Sequence, residues 1–322
     1  MSRIFFVFIL LFMFVLNVFA VDRAVVIYDE IKINGQVKKI TGIEYKEFEE
    51  DGKKVRNNEN THILEFDNKG NVVKSKEIFS FWTKSYSYKY DDNGNMIEKA
   101  EYDEKDILNL TTIYIYKDGI LIEENILNKE GQLSNKTTYK IENGKPVEMN
   151  HIYSDGSLLD RATYNYDKNG NLIEEIEYDS ENAPSSKDTY KFNKNNKLIE
   201  KQVFKNDILN YKTTYNYIGD IKTEEIELEY EGNNVVSKTI NKYNNKENRI
   251  SFEKYEGKKL SVKIKYIYDL KNKIIEEDEM DSFGKITEKT IYSYDKNQNL
   301  VKKVEYTPDM TPIQFTEFIY EN

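Results

Sequence analysis

Pairs of tyrosines two residues apart recur along this 322-residue chain, and they are the side chains best suited to binding chemistry. Residues two apart on a β-strand share a face, so the two rings of each pair lie side by side. A tyrosine ring can stack on a flat or extended ligand while its hydroxyl forms hydrogen bonds. The predicted ligand surface comprises Tyr88, Tyr90, Tyr164, Tyr166, Tyr266, Tyr268, Tyr292, Tyr294 and the single tryptophan, Trp82. The alternative is structural: the tyrosines form a ladder of cross-strand pairs, and Trp82 fills a joint in the fold.

The composition excludes several kinds of chemistry. The chain has no cysteine, which excludes disulfides, thiolate metal sites and cysteine nucleophiles. Its only histidines, His62 and His151, are too few for most imidazole zinc sites and leave little material for a Ser-His mechanism. With 47 basic and 57 acidic side chains the net charge is −10, which argues against nucleic acid or an anionic membrane surface as a partner. We therefore predict no catalytic residues, no metal ligands and no cofactor.

Carboxylates are abundant and raise two further hypotheses. Neighbouring glutamates such as Glu174 and Glu175 face opposite sides of a strand, so they cannot act together on a glycosidic bond. A catalytic pair drawn from different parts of the chain stays open. The segments of the form Asp-x-Asn-Gly-Asn, such as 91–95 and 167–171, carry oxygen ligands that suit calcium, but turn chemistry explains the same residues without a metal.

The elements that position these residues form a repeat. An aromatic or apolar marker recurs every 24 to 26 residues, 25.4 on average, at Phe66, Tyr90, Tyr116, Ile141, Tyr166, Phe192, Tyr217, Tyr243, Tyr268, Tyr294 and Tyr320. Each period contains two segments of alternating polarity separated by turn residues, which is typical of a β-hairpin. The sequence therefore predicts an all-β fold, an antiparallel meander of about ten tandem hairpins in a single continuous coiled or curled sheet.

The order of segments predicts three regions. Arg3 followed by the apolar run from Ile4 to Leu16 and a small residue at Ala20 indicates a secretory signal peptide over residues 1–20. Residues 21–60 form an N-terminal β cap, and residues 61–322 form the hairpin array. An uncleaved anchor is the alternative at the N-terminus, although thirteen apolar residues are short for a membrane span. An outer-membrane barrel is a further alternative, but charged side chains lie on both faces of the predicted strands.

The repeats at 88–98, 164–174 and 292–302 resemble the YD repeats of the Rhs family of large secreted bacterial proteins, in which tyrosine, aspartate, glycine and leucine recur in this order. The resemblance covers about residues 61–322 and implies hairpin sheets that spiral into a shell around a toxin domain. The chain departs from the pattern at Asn196 and Gln298, where the glycine is lost. It is similar, more weakly, to short MORN-like hairpin repeats.

These observations lead to one functional expectation. The chain is expected to be an exported, non-enzymatic binding or structural module at the bacterial cell envelope, located in the periplasm, on the outer surface or in the medium. The expected partner is an envelope glycan or a surface protein, with no membrane span after signal cleavage. The alternatives are a glycan-active hydrolase that uses acidic residues from several repeats, and a shell fragment of an Rhs-like toxin system.

Overall fold

The computed structural model describes residues 33, 35–50 and 53–322, and their regular structure is β-strand throughout. The predicted signal peptide lies outside the described residues. Among the residues described, no helix is long and apolar enough to cross a membrane. The strands are β1 (Lys39–Glu50), β2 (Lys53–Phe66), β3 (Val72–Phe79), β4 (Trp82–Tyr90), β5 (Met96–Tyr102), β6 (Leu108–Lys117), β7 (Ile120–Asn128), β8 (Leu133–Glu142), β9 (Lys145–Tyr153), β10 (Leu158–Tyr166) and β11 (Leu172–Tyr178). They continue as β12 (Pro184–Phe192), β13 (Leu198–Lys205), β14 (Ile208–Ile218), β15 (Ile221–Glu231), β16 (Asn234–Tyr243), β17 (Arg249–Glu256), β18 (Lys259–Tyr268), β19 (Ile274–Met280), β20 (Ile286–Tyr294), β21 (Leu300–Tyr306) and β22 (Pro312–Glu321).

The 22 strands form one antiparallel meander that closes into a barrel. Each strand pairs with the next one along the chain, and β1 pairs with β22 from Lys39 opposite Glu321 to Tyr45 opposite Phe315. The predicted hairpin meander is therefore confirmed. The predicted coiled or curled sheet is instead closed into a barrel, because the first and last strands satisfy each other's hydrogen-bonding edges.

The closing strand contains the two most deeply buried large side chains of the described residues, Ile40 and Tyr45. Tyr45 packs with Val304 and Phe315 in a hydrophobic cluster that spans the seam between β1 and β22. Residues 39–50 and 53–60, which fall within the predicted cap, form β1 and the first part of β2 and belong to the same sheet as the array. Closure is thus built into the strand that precedes the regular repeats.

The turns reproduce the chemistry that the sequence indicates. In the β4–β5 turn, Asp91 Oδ1 accepts the backbone N–H groups of Asn93 and Asn95, and the Gly94 N–H donates to the Asp91 carbonyl. Gly94 has a φ of 84°, a conformation that glycine adopts at little cost. At the equivalent turn positions Asn196 and Gln298 also have positive φ, so the turn survives the loss of glycine there. We call the end of the barrel with the 91–95 and 167–171 turns the Asn-Gly rim, and the other end the opposite rim.

Bulges accompany almost every turn. Every pair of neighbouring strands except β1–β22 and β3–β4 contains a register shift of one residue. Bulges increase strand twist and curvature, which a sheet needs in order to close on itself. The regular placement of bulges therefore gives the meander the curvature of a barrel.

Candidate functional site: the inner wall of the barrel

The two faces of the sheet differ in exposure. Tyr88 and Tyr164 are buried, whereas Lys89 and Asn165, the next residues along the same strands, are exposed. Directly paired residues point to the same face, so the pairing register carries this tyrosine face from strand to strand around the sheet. Burial raises the pKa of Tyr139, Tyr164 and Tyr190, which all lie on this face. Atoms crowd most on the concave side of a closed sheet, so we assign the tyrosine face to the inner wall.

The first tyrosine of each predicted pair is packed into the inner wall. Tyr88, Tyr164, Tyr266 and Tyr292 are at most 9% exposed. The Tyr88 hydroxyl lies 3.0 Å from Ser75 Oγ, and the Tyr292 hydroxyl donates to Glu277 at 2.9 Å. Each of these contacts joins the ring to the preceding strand. The first tyrosines thus contribute to the wall itself, and their ring faces are largely covered.

The second tyrosine of each pair links adjacent hairpins through the backbone. Tyr90, Tyr166, Tyr268 and Tyr294 are half-buried and donate to the carbonyls of Val72, Pro146, Arg249 and Ile274, each at 2.8 Å. Tyr116, Tyr217 and Tyr320 make the same bond at 2.8 to 2.9 Å. The accepting carbonyl lies 18 to 20 residues earlier in the chain, beside the bulge of the preceding hairpin. This recurring bond supplies a structural reason for the 25-residue tyrosine period.

The predicted tyrosine pairs also border shallow clefts at the Asn-Gly rim. Tyr164 and Tyr166 line one cleft together with Lys145 and Val147. Tyr266 and Tyr268 line another with Arg249, whose guanidinium carbon lies 4.5 Å above the centre of the Tyr266 ring. Both clefts are open at the surface. The structure therefore places these pairs next to cationic side chains and leaves ring edges accessible.

A cluster of charged residues lies on the inner wall between β11 and β13. Glu175 pairs with Asp188 across β11 and β12, and Tyr190 pairs with Lys201 across β12 and β13. The Tyr190 hydroxyl lies 3.4 Å from an oxygen of each carboxylate and can donate to either one, and Lys201 Nζ lies 2.8 Å from Asp188. This inner-wall cluster is not among the site residues predicted from the sequence. Counting residues back from each bulge would have placed Glu175 on the inner wall and Glu174 on the outer wall.

Glu175 is the most perturbed carboxyl group of this cluster. Burial, followed by the neighbouring charges of Asp188 and Glu177, raises its pKa to about 7, against the opposing effect of Lys201. Desolvation and like charges both disfavour the ionised form of a carboxyl group. A carboxyl group that gains or loses its proton near neutral pH can donate or accept a hydrogen bond from a ligand in the lumen.

The lumen is wide relative to its side chains. A ring of 22 strands spaced about 4.8 Å apart and tilted by about 40° is roughly 45 Å across if it is circular. Charged groups elsewhere on the inner wall are paired in place, such as Lys222 with Glu225 at 3.0 Å and Lys303 with Glu305 at 2.8 Å. Such a wall favours water in the lumen and suits a polar ligand.

Trp82 lies where the inner wall meets the opposite rim. It begins β4, pairs with Phe79 at the end of β3, and is 37% exposed. The two rings stack with centroids 4.1 Å apart. His62 is 4% exposed and meets Phe79 edge to face at 5.6 Å. The other histidine, His151, forms a 2.6 Å contact with Asp160.

The turn carboxylates at the Asn-Gly rim are engaged in hydrogen bonds. Asp167 Oδ1 accepts the N–H groups of Asn169 and Asn171, and Oδ2 accepts the Asn171 side-chain amide at 2.9 Å. The amide hydrogen bond lowers the pKa of Asp167, and the backbone bonds lower it further. These bonds account for the aspartate and the asparagine of the repeat by turn geometry. Over residues 33, 35–50 and 53–322 no group of three potential ligands is placed to hold a metal ion.

Comparisons with known proteins give structural similarities only. No protein-family model and no curated protein sequence matches the chain, so the likeness to YD repeats remains a resemblance. A porin-like protein from Bacteroides uniformis is 12% identical over 90% of this chain and 99% of its own, with a TM-score of 0.31. A porin-like protein from Bacteroides vulgatus is 12% identical over 88% of this chain and 98% of its own, with a TM-score of 0.25.

Another similar structure is TcdB2-TccC3, which is 13% identical over 81% of this chain, with a TM-score of 0.28. The chain spans only 19% of the length of that protein. Identity and TM-score are low for all three structures. Similarity at this level carries no functional conclusion for the chain.

Proposed function

We propose that the chain is an exported, non-enzymatic barrel that serves as a binding or structural module at the bacterial cell envelope, with the inner wall as its binding surface. The observation that carries the proposal is the cluster of Glu175, Asp188, Tyr190 and Lys201 on a concave wall. Ring edges, carboxylates and an ammonium group within a few ångströms suit an envelope glycan or an extended segment of a surface protein.

The charged side chains of the outer wall support a barrel whose outer surface faces water after export. Outward-facing ion pairs cross the middle of neighbouring strands, including Glu174 with Lys187 at 2.6 Å and Glu200 with Lys212 at 2.8 Å. A wall that faces lipid is apolar over a tall band, because charges at that depth are costly. Export itself rests on the signal peptide that the sequence predicts over residues 1–20.

The proposal is tested by binding assays with two matched double variants. The mature chain is screened against an array of bacterial envelope glycans and a set of purified surface proteins, and the variants are then measured on the ligands found. Tyr190→Ala with Lys201→Ala removes an inner-wall pair, in which Lys201 Nζ lies 5.5 Å from the ring centre. Lys191→Ala with Glu200→Ala removes the adjacent outer-wall ion pair of the same two strands, 2.5 Å apart.

We expect the inner-wall variant to weaken binding by at least about tenfold and the outer-wall variant to bind like the wild type. Equal binding by all three proteins would overturn the inner wall as the binding surface. If the alanine variant loses its fold, judged by circular dichroism, then Tyr190→Phe with Lys201→Met preserves the packing and makes the same comparison.

Glycoside hydrolysis is the second candidate function, favoured by one observation. Glu175 on β11 and Asp188 on β12 lie side by side, and the pKa of Glu175 is raised to about 7. Retaining glycosidases use two neighbouring carboxyl groups, one of which holds its proton near neutral pH. Release of reducing ends from envelope glycans, lost in Glu175→Gln but retained in the outer-wall variant Glu174→Gln, would support hydrolysis. No release by the wild type would exclude it for the glycans tested.

A further inference from the structure

The β3–β4 hairpin departs from the repeat at one place. Its register contains no bulge, and it is extended by the pair Phe79 and Trp82 around a two-residue turn of Ser80 and Phe81. In the β11–β12 hairpin, by contrast, a bulge precedes the last pair, Tyr178 and Pro184. A periodic array that breaks its pattern once, with three aromatic residues among four, marks that hairpin as different from its neighbours.

The spacing of residues along the strands shows which face of the sheet carries Phe79 and Trp82. Phe79 is four residues from the buried Ser75, and Trp82 is six residues from Tyr88, whose hydroxyl contacts Ser75 on the inner wall. Even spacing along a strand keeps side chains on one face, so Phe79 and Trp82 face the lumen at its mouth. By the same parity Tyr178 and Pro184 fall on the outer wall, because Tyr178 pairs with Arg161 next to the inward-facing Ala162.

The aromatic pair packs against a buried side chain on one side and is exposed on the other. The Phe79 and Trp82 rings are inclined by only 26°, and Phe79 rests edge to face against the buried His62. Trp82 nevertheless stays 37% exposed and Phe81 85% exposed. An indole held in a fixed orientation by a second ring needs little ordering on binding, which favours affinity.

Polar groups lie one row deeper on the same wall. Glu77 pairs with Lys84, the next inward-facing residues beyond Phe79 and Trp82. Asn60, which is paired with Phe79, donates its side-chain amide to Glu44 at 2.6 Å. The mouth of the barrel therefore offers an aromatic platform with a carboxylate, an ammonium group and an amide beside it.

We infer that Phe79 and Trp82 form a stacking platform for a pyranose ring of a glycan chain entering the lumen. One face of a pyranose is formed by C–H groups that pack on an aromatic ring, and its edge carries hydroxyls that bond to groups such as Glu77, Lys84 and Asn60. The inference rests on the proposed function, because it places the glycan on the inner wall. It adds the ligand class and the point of entry.

The test uses the fact that Trp82 is the only tryptophan in the chain, so fluorescence excited at the red edge of the absorption band, where tyrosine does not absorb, reports on this site alone. The mature protein is titrated separately with cellohexaose, chitohexaose and maltohexaose. We expect at least one of them to change the tryptophan emission saturably. Phe79→Ala, which removes the supporting ring, should weaken that binding by about tenfold. Phe283→Ala removes a 93% exposed aromatic side chain of the same rim and should leave the binding unchanged.

Three outcomes would overturn the platform: no saturable change with any of the three oligosaccharides, wild-type affinity in a folded Phe79→Ala, or an equal loss in Phe283→Ala. Calorimetry and the inner-wall variant separate this failure from that of the proposed function. Binding that Tyr190→Ala with Lys201→Ala weakens, but that Trp82 emission does not report, overturns the platform alone. A Trp82 signal that this double variant leaves intact keeps the platform and overturns the deeper inner wall as the ligand surface.

Discussion

Tyr45 stacks on Phe315 with ring centroids 5.0 Å apart and planes inclined by only 3°, which joins the first strand of the barrel to the last. The Tyr45 hydroxyl donates to Glu317 at 2.6 Å, and Arg56 covers the same ring at 4.3 Å while it pairs with Glu317 at 3.3 Å. Tyr45 and Glu317 are 272 residues apart in sequence. The seam is therefore a specific set of side-chain contacts as well as a pair of strand edges.

Tyr45→Ala is expected to lower the free energy of unfolding by about 3 to 5 kcal/mol, because it empties a fully buried aromatic site. Tyr45→Phe keeps the stack and loses the hydrogen bond to Glu317, so it should cost about 1 to 2 kcal/mol. Urea unfolding measures both values. The control is Tyr153→Ala, a 44% exposed strand tyrosine whose loss should cost below about 1 kcal/mol. An equal loss of unfolding free energy in Tyr45→Ala and Tyr153→Ala would contradict the role of Tyr45 in the seam.

Tyr166→Phe is expected to cost about 1 kcal/mol, because it removes the hydroxyl that donates to the Pro146 carbonyl. The chain offers the reverse experiment. Phe192 occupies the same position in β12, so Phe192→Tyr should gain a bond to the carbonyl of Leu172, 20 residues earlier, and stabilise the protein by a similar amount. Thermal unfolding of the two variants measures the effects. A change in Tm of the same sign in Tyr166→Phe and Phe192→Tyr would contradict the structural role of the second tyrosine of each pair.

Gly170→Ala is expected to destabilise the protein by about 1 kcal/mol, because Gly170 has a φ of 82° and the Gly170 carbonyl accepts a hydrogen bond from Lys145. An added Cβ would also displace the Lys145 side chain. Gln298 occupies the equivalent turn position with a φ of 68°, so Gln298→Gly should be stabilising. Urea midpoints that move in the same direction in both variants would rule out this turn geometry.

Stability should depend on pH through Glu175. Its pKa is raised from 4.5 to about 7 in the folded protein, first by burial and then by Asp188 and Glu177. Between these two values the folded chain holds a proton that the unfolded chain has released, so stability falls as the pH rises from 4.5 to 7. Glu175→Gln should remove this dependence and be more stable than the wild type above about pH 7. Urea unfolding of both proteins at pH 5 and pH 8 measures the effect. The same change in unfolding free energy between the two pH values in the wild type and in Glu175→Gln would contradict a buried carboxyl group.

The sequence predicted the parts of the fold that depend on local chemistry. Alternation over two residues indicates the strands, and a side chain such as Asp91 that accepts nearby backbone N–H groups indicates the turns. Closure of the barrel depends on the sum of small rotations between all neighbouring strands. The contact that completes it joins Tyr45 to Phe315, 270 residues away in the sequence. No local pattern encodes that sum.

The candidate site was predictable only in part for the same reason. The shared face of a pair such as Tyr164 and Tyr166 follows from spacing, but the hydroxyl of Tyr166 reaches a carbonyl of the preceding hairpin, which spacing alone does not give. The meeting of Glu175 with Asp188 depends on the one-residue bulges between the turns. Each bulge decides which of two adjacent glutamates faces the lumen.

Closure of the barrel is the central claim, because the lumen and its inner wall exist only if β1 pairs with β22. The chain has no native cysteine, so Thr41→Cys with Ile319→Cys can be oxidised without competing thiols. These residues are direct partners across the seam, within the Cα separation that a disulfide spans. We expect an intramolecular disulfide in the monomer, seen by mass spectrometry, and none in the control Thr41→Cys with Ser293→Cys, whose second site lies on β20. Free thiols or only intermolecular dimers in the Thr41→Cys with Ile319→Cys variant would contradict the closed barrel.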